Sequence, residues 1–189
     1  PVDITFEAGM GTDCHTTSLN SDGTELYLFK NDNYDGNIYV TRFVNGQWSQ
    51  VERLNKNINT RFYESHAAIS SDGKKLYFTS NREGGLGELD LWMSEKDVTG
   101  DWGIPSNLGN VVNTPYNEET PFISGDGNTL TFSSEGHGSM GGYDIFLSKL
   151  SSGQWTSPVN IGYPLSTTDD NIAFQPFRNG DYGFYAIMT

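Results

Sequence analysis

The feature that most constrains this 189-residue chain is a short phrase that returns about every fifty residues. The phrase reads SDGTELYLF, then SDGKKLYFT, then GDGNTLTFS, with a degenerate fourth copy, NGDYGFYAI. Its turn pairs begin at residues 22, 72, 126 and 179, so the spacings are 50, 54 and 53 residues. The pairs are Asp22-Gly23, Asp72-Gly73, Asp126-Gly127 and Asn179-Gly180. A fixed period of this length is the signature of a repeat architecture.

Two further markers keep the same order within each repeat. A Gly-x-Trp triplet ends at Trp48, Trp102 and Trp155. An apolar run follows the glycine-rich segment and reads NIYVT, DLWMS and DIFLS, the last two beginning at Asp90 and Asp144. Three independent markers in one order indicate an internal repeat rather than chance.

Each repeat predicts four short antiparallel strands, A to D. Strand A (HAAISS, 66–71) meets strand B (KLYFTSN) across an Asp-Gly hairpin, where we expect both central residues to take positive φ. Alternation in strand B predicts Leu76 and Phe78 on one face and Tyr77 on the other. Strand C is DLWMSEK, and strand D lies near WGIPSNLG, where Pro105 suits an outer edge. Such units describe the blades of an all-β β-propeller, whose apolar faces are buried by stacking.

The phase of the repeat predicts one propeller segment over residues 1–189. PVDIT at the start aligns with PVNIG (158–162), so residues 1–10 are expected to form the outer strand of a preceding blade. Blades are expected at 11–61, 62–115 and 116–168, with a partial blade at 169–189. About 3.5 to 4 blades without a closing strand favour a fragment of a larger propeller, with one apolar face exposed.

Composition excludes several function classes. The net charge is −13, which repels phosphate backbones and argues against nucleic-acid binding. No apolar run approaches the ~18 residues of a membrane-spanning helix. The single cysteine, Cys14, excludes an internal disulfide but does not fix the compartment.

One glycine-rich stretch resembles a catalytic loop. EGHGSMGGYDIF (135–146) contains His137 and Ser139, but the equivalent stretch NREGGLGELDLW (81–92) keeps only the glycines. His137 also stands where a G-x-S-x-G elbow needs its first glycine. We therefore predict turn chemistry with no catalytic residue, and expect Gly84, Gly85, Gly141 and Gly142 to be required for positive φ.

Two metal-site patterns are incomplete. Asn31, Asn33, Asp35 and Gly36 match the opening of an EF-hand loop, but Arg42 stands where the bidentate Glu belongs. GGLGELD resembles a calcium nonapeptide, with its Asp one place late. The histidines lack zinc-site spacing, although His15, beside Cys14, and His66 occupy similar blade positions. We predict no metal cofactor, and at most adventitious calcium.

Acidic residues recur in the connections from strand D to the next strand A. In a propeller these connections open on the same face as the B–C loops, near the central channel. The sequence therefore predicts an acidic rim there, either as solvated, hydrogen-bonded carboxylates or as a face that meets a basic partner or a cation. Its members are Asp13, Glu64, His66, Glu118, Glu119, Asp169 and Asp170.

The phrases SHAAISSDGKKLYFTSNREGG, VVNTPYNEETPFISGDGNTLTFSSEGHGSMGGYDIF and PVNIGYPLSTTDDN resemble the WD-like repeats of TolB-like propellers. They are most similar to the version in Bacteroidetes envelope proteins, which combine tetratricopeptide repeats, a propeller and a peptidoglycan-binding domain like that of outer-membrane protein A. Some of those proteins are lipoproteins of type IX secretion and gliding. The resemblance covers nearly the whole chain and is strongest at blades two and three.

The resemblance implies a non-catalytic scaffold that binds other envelope proteins, in the periplasm or at the outer membrane. Two alternatives remain open at this point. The first is a carbohydrate- or cation-binding module that uses the acidic rim. The second is the propeller of a peptidase or polysaccharide lyase, although a lyase needs clustered basic residues and the chain has only 11 in all.

Overall fold

A computed structural model describes residues 4–11, 13–32, 35–177 and 182–188. In this described part, one short helix, α1, spans Ile4–Glu7 and the remaining elements are strands. The first two blades contain β1 Cys14–Leu19, β2 Glu25–Asp32, β3 Asp35–Val44, β4 Gln47–Trp48, β5 Glu52–Arg53, β6 Glu64–Ile69, β7 Lys75–Ser80, β8 Asp90–Glu95 and β9 Ser106–Asn107. The later strands are β10 Glu118–Ile123, β11 Thr129–Ser134, β12 Asp144–Ser151, β13 Gln154–Trp155, β14 Val159–Asn160, β15 Asp170–Phe177 and β16 Tyr182–Met188.

The strands form successive antiparallel sheets, each a blade of the repeat. Blade one runs β1-β2-β3-β4 with β5 also paired to β3, and blade two runs β6-β7-β8-β9. Blade three runs β10-β11-β12-β13 with β14 also paired to β12, and blade four contains β15 and β16 among the described residues. The innermost strands β1, β6, β10 and β15 contact one another in sequence around the axis. The predicted all-β propeller of four-stranded blades is confirmed.

Apolar side chains of strands B and C are buried between neighbouring blades. Leu76 and Phe78 pack in one cluster with Tyr27 and Ile38 of blade one. Tyr77, on the other face of β7, packs with Phe132 and other side chains of blade three. The alternation predicted for strand B is therefore confirmed, because each blade must cover both faces of its neighbours.

The tryptophan marker belongs to the same interfaces. Trp102 of blade two meets the ring of Tyr27 in blade one, with centroids 6.5 Å apart. Trp155 of blade three meets Tyr77 of blade two in the same way, at 6.3 Å. Each pair joins an outer strand to strand B of the preceding blade, so Trp102 and Trp155 occupy equivalent inter-blade contacts, whereas Trp48 packs on Phe43 of its own blade.

The Asp-Gly turns differ from the predicted hairpin. Only the glycine of each pair takes positive φ, at 71° for Gly23, 69° for Gly73 and 71° for Gly127. The amide of Gly73 donates to the carbonyl of Ser70 at 2.9 Å, and Asp72 Oδ1 accepts a bond from Ser70 Oγ at 2.6 Å. The aspartate therefore fixes the turn with its carboxylate and does not need a left-handed backbone.

Residues 1–10 do not form the predicted outer strand where they are described, and residues 1–3 lie outside the described part. Ile4–Glu7 is helical, and the amide of Ala8 donates to the carbonyl of Ile4 at 2.9 Å. Ile4 and Met10 pack against Leu26 and Leu28 on the face of blade one that no other sheet covers in the described part. The segment thus covers this apolar face of blade one.

Candidate docking face and axial cavity

The B–C loops and the D–A connections lie together on one side of the blades. A Cβ on Gly87, in the B–C loop of blade two, would collide with the carbonyl of Tyr116 in the next connection. A Cβ on Gly141, in the B–C loop of blade three, would collide with the backbone of Thr168. We call residues 81–89, 108–117, 135–143 and 161–169 the loop face.

A buried side chain in the D–A connections that follow blades one and two binds the backbone of strand C. Asn113 Oδ1 accepts from the amide of Leu91 at 2.8 Å, and its Nδ2 donates to the carbonyl of Leu91 at 3.0 Å. Asn59 makes the same pair of bonds with Ile38, at 2.8 and 2.7 Å. These bonds fix the connection to strand C of its own blade. They also give hydrogen-bond partners to backbone groups of strand C that are buried away from water.

The next part of the same connections ends at a buried side chain that accepts several hydrogen bonds. Glu118 is fully buried, and it accepts from the amide and hydroxyl of Thr114 at 2.8 and 2.6 Å and from Ser134 Oγ at 2.7 Å. Glu64 is also fully buried and makes the equivalent bonds with Thr60 and Ser80. We call this arrangement the Thr–Glu clamp.

Blade four keeps the clamp with an amide in place of the carboxylate. Asn171 Oδ1 accepts from the amide and hydroxyl of Thr167, at 2.6 and 3.2 Å. Burial raises the pKa of Glu118, while its bonds from Thr114 and Ser134 act in the opposite direction. The clamp thus works with a carboxylate or an amide, because its donors need only an acceptor oxygen.

The predicted acidic rim is wrong for these two carboxylates. Glu64 and Glu118 point into the protein. Their burial is tolerated because backbone and hydroxyl donors of their own connection replace the hydrogen bonds that water would otherwise make to the carboxylates. Arg82 also reaches Glu64, at 3.3 Å, and donates to the carbonyls of Asn57 and Ile58 at 2.9 and 2.6 Å. Its guanidinium lies 4.9 Å from the centre of the Phe78 ring. No sequence pattern indicates this role for Arg82.

Asp90 and Asp144 anchor the B–C loops. Asp90 Oδ2 accepts from the amide of Leu86 at 2.7 Å, and Asp144 accepts from the amide of Met140. Both aspartates are buried, and burial raises the pKa of Asp90. Their recurrence at the start of strand C therefore reflects loop geometry.

Most glycines of these loops are required for a different reason from the one predicted. Gly84 has positive φ, at 94°, but Gly85, Gly141 and Gly142 do not. A Cβ on Gly85 would collide with the carboxylate of Asp90, and one on Gly142 with the carboxylate of Asp170. Close approach of loop and neighbour, rather than backbone conformation, excludes a side chain at those three positions.

His137 and Ser139 are held in turn contacts, where the sequence predicted turn chemistry. His137 Nε2 lies 2.8 Å from the carbonyl of Val112, and its ring packs 5.3 Å from Phe146. The hydroxyl of Ser139 donates to the carbonyl of Glu135 at 3.0 Å.

The outer surface of the loop face combines exposed apolar side chains with acidic ones. Leu86, Tyr116 and Met140 are 43%, 61% and 51% exposed. The exposed charges within these segments are Glu83, Glu88 and Asp169, and Glu83 forms an ion pair at 2.7 Å with exposed Arg61 of the connection after blade one. The basic residue in these segments, Arg82, is engaged by Glu64 with its side chain only 10% exposed. The result is an apolar surface that carries the exposed carboxylates of Glu88 and Asp169, with the Arg61–Glu83 ion pair at its blade-one edge.

The other predicted rim residues fall in two places. Asp13 is exposed in the connection that enters blade one, while Asp170 is half-buried and accepts from the amide of Tyr143 at 3.0 Å. His66 and Glu119 face the axis instead, with His66 Nδ1 3.8 Å from Glu119 Oε2. The structure therefore separates the predicted rim into buried clamps, exposed loop residues and an axial pair.

The inner strands surround a cavity of about 150 Å³ on the axis. It is lined by His15, Thr16, Thr17, His66, Ala67, Thr120, Pro121, Ile172, Ala173 and Gln175. The Phe29 ring lies beside both imidazoles, 4.9 Å from His15 and 6.3 Å from His66. His66 and its counterparts Thr120 and Ala173 have positive φ, at 46°, 49° and 58°. Each lies at a bulge in strand A, and bulges redirect side chains at functional positions.

Burial lowers the pKa values of both imidazoles of the axial cavity. Burial, followed by the charge of His15, lowers the pKa of His66 to about 4. Partial burial lowers the pKa of His15 as well. Burial also raises the pKa of Glu119, against a bond of 3.2 Å that Tyr143 donates to it.

The calcium pattern of blade one lies in a hairpin. Asn31 pairs with Gly36 and Asp32 with Asp35 across β2 and β3, and Asn33 lies outside the described residues. In the part of the chain that is described, no group of three or more His, Cys, Asp or Glu side chains is arranged to hold a metal ion.

A second cavity, of about 420 Å³, lies by the Asp-Gly turns of blades one and two. Glu25 is central to it and accepts from Arg42 Nε at 3.1 Å, with Lys96 Nζ 3.6 Å away. Opposite charges are thus paired within this cavity.

Comparison with solved structures supports the fold. TolB from Acinetobacter baumannii matches with a TM-score of 0.60 at 16% identity, over 92% of this chain and 40% of its own. A putative TolB from Agrobacterium tumefaciens gives 0.61 at 16%, over 96% and 61%. A prolyl endopeptidase gives 0.54 at 18%, over 93% and 23%. The chain has a TolB-like β-propeller fold.

The similarity to these proteins concerns the fold alone, because the sequence identities are low. The chain spans less than two thirds of the length of each of these proteins. No protein-family model matches the sequence, and no curated protein matches it. Among the described residues, no helix is long and apolar enough to cross a membrane.

Proposed function

We propose that this chain is a non-catalytic protein-interaction module of the bacterial cell envelope, and that its loop face is the docking surface. The observation that supports the proposal is the combination of exposed Leu86, Tyr116 and Met140 with acidic charge on rigidly held loops. Aromatic and methionine side chains are enriched at protein interfaces. An acidic surface also steers basic partners during association.

The anchoring of the loops favours binding. Asp90 and Asp144 hold the B–C loops, while Asn113 and the Thr–Glu clamp of Glu118 hold the D–A connection between them. Loops that are ordered before binding do not lose that conformational freedom when a partner docks. The expected partner surface therefore presents Lys or Arg around apolar pockets that accept the exposed side chains.

The non-catalytic part of the proposal is supported by the structural hydrogen bonds that the polar side chains of these loops already make. Glu64, Glu118 and Asp90 are acceptors for the fold, and Ser139 and His137 are engaged in turn contacts. The envelope assignment rests on the sequence resemblance to Bacteroidetes envelope repeats and on the TolB-like fold. A place in type IX secretion or peptidoglycan anchoring is the finer form of the same proposal.

Comparative capture from envelope extracts tests the proposal. The protein is immobilised beside a loop-face variant, Tyr116→Ser with Met140→Ser, and a control variant, Val98→Ser with Ile104→Ser. The control side chains are 105% and 87% exposed and lie in the C–D region of blade two, outside the loop face. We expect a basic partner that wild type and control retain at low salt and the loop-face variant loses.

A second variant separates charge from apolar contact. Glu88→Lys with Asp169→Lys reverses the exposed charge, so we expect a basic partner to be lost and its salt dependence to disappear. Equal retention by wild type, control, loop-face and charge variants would refute the docking face. If the loop-face variant catalysed the turnover of a substrate, the non-catalytic assignment would be refuted.

A further inference from the structure

Two histidines from neighbouring blades meet at the axial cavity. His15 lies on β1 and His66 on β6, and their ring centroids are 5.6 Å apart with a tilt of 35°. Both line the same cavity of about 150 Å³. With metal–nitrogen bonds of about 2.0–2.1 Å, two imidazoles on one tetrahedral ion have centroids roughly 5 Å apart. The observed separation is therefore close to that of two ligands of one ion.

The second nitrogen of His66 is already engaged as in many metal-binding histidines. Its Nδ1 lies 2.9 Å from Ser65 Oγ and 3.8 Å from Glu119 Oε2. A histidine ligand commonly donates its other N–H to a hydroxyl or carboxylate, which fixes the tautomer and directs the free lone pair outward. This arrangement leaves Nε2 of His66 as the nitrogen available to an ion.

We propose that His15 and His66 form a two-histidine site for a borderline transition-metal ion, with water completing its coordination. The ion joins the inner strands of blades one and two. Imidazole ligands suit Cu²⁺, Ni²⁺ and Zn²⁺, whereas Ca²⁺ and Mg²⁺ prefer oxygen. The affinity should be greatest for Cu²⁺, which follows the general order for nitrogen ligands.

Thermal unfolding of tag-free protein tests the site with Cu²⁺, Ni²⁺, Zn²⁺ and Ca²⁺ added one at a time. A folded-state site raises Tm with ligand concentration, so we expect an increase with the first three ions and none with Ca²⁺. His15→Gln and His66→Gln are expected to lose at least tenfold in affinity. The matched control is His137→Gln, since His137 Nε2 already contacts the carbonyl of Val112. Each variant is compared with its own metal-free form.

Electron paramagnetic resonance with one equivalent of Cu²⁺ reports the ligands directly. We expect coupling to two imidazole nitrogens in wild type and in His137→Gln, and to one in His15→Gln. His15 is exposed, so His15→Gln decides the question even if His66→Gln does not fold. Unchanged nitrogen coupling in His15→Gln, or a response that disappears only in His137→Gln, would overturn the proposal. An equal response to Ca²⁺ would also overturn it.

Discussion

Replacement of Glu118 is the sharpest test of the Thr–Glu clamp. Glu118→Ala removes an acceptor that serves three donors at 2.6 to 2.8 Å in a fully buried position. Each buried donor left unpaired costs about 1–3 kcal/mol, but Ser134 and Thr114 hydroxyls can rotate toward other acceptors. We therefore expect a loss of about 3–5 kcal/mol, which corresponds to a decrease in Tm of roughly 6–20 °C for a chain of this size.

Glu118→Gln separates the acceptor from its charge. The amide oxygen can still accept from Thr114, as Asn171 does from Thr167 in blade four. We expect a smaller loss of about 1–2 kcal/mol, because only the charge-assisted part of the bonds disappears. Chemical denaturation followed by tryptophan fluorescence measures both changes.

The control for this series is Glu88→Gln, an exposed residue of the neighbouring B–C loop. It should change the free energy of unfolding by less than about 0.5 kcal/mol. If Glu118→Ala were as mild as Glu88→Gln, or Glu118→Gln as severe as Glu118→Ala, the clamp would not have the assigned role.

Two further predictions concern the loops and the axial cavity. Gly87→Ala should lower the free energy of unfolding by about 1–3 kcal/mol, because its Cβ would collide with the carbonyl of Tyr116. The control is Gly125→Ala, whose Cβ would meet open space and which should be nearly neutral in the same denaturation assay. The folded-state pKa of His66, about 4, lies below the unfolded value of 6.5, so the unfolded state binds more protons between these values. Stability from His66 is thus present above pH 6.5 and is lost as pH falls toward 4, by about 3 kcal/mol at most. Glu119, with a raised pKa, acts in the opposite direction as pH falls, so the difference between wild type and His66→Gln isolates the histidine. A parallel pH profile for His66→Gln would contradict this assignment.

The sequence predicted the fold because its markers describe backbone requirements that repeat. Gly23, Gly73 and Gly127 occupy the same left-handed turn position, and Trp102 and Trp155 the same inter-blade contact. Alternation of apolar residues then assigns each face of strand B to a neighbouring blade. These properties are local or periodic, so they can be recognised without coordinates.

The acidic connections were misinterpreted because burial of a carboxylate depends on donors supplied by tertiary structure. Glu64 and Glu118 stand in loops, where acidic residues are usually exposed. The one available signal was the spacing: a threonine stands four residues before each glutamate, as in Thr60 and Glu64. Helix α1 had no comparable signal, since its conformation follows from covering blade one and not from its own residues.

Likewise, the meeting of His15 and His66 could not be predicted from spacing. Their similar blade positions were visible in the sequence, but the distance between the rings depends on the bulge in each inner strand. Bulges of this kind place residues with positive φ, such as His66, where propensity does not favour them.

The central claim is that repeated buried clamps hold the loop face rigid, and amide hydrogen exchange measured by NMR tests it most directly. The amides of Thr60, Thr114, Leu86 and Leu91 donate to Glu64, Glu118, Asp90 and Asn113. We predict that the loop amides among them exchange about as slowly as the strand amide of Leu91, since opening requires breaking the clamp. Exchange of Thr60, Thr114 and Leu86 as fast as that of exposed turn amides would contradict the account.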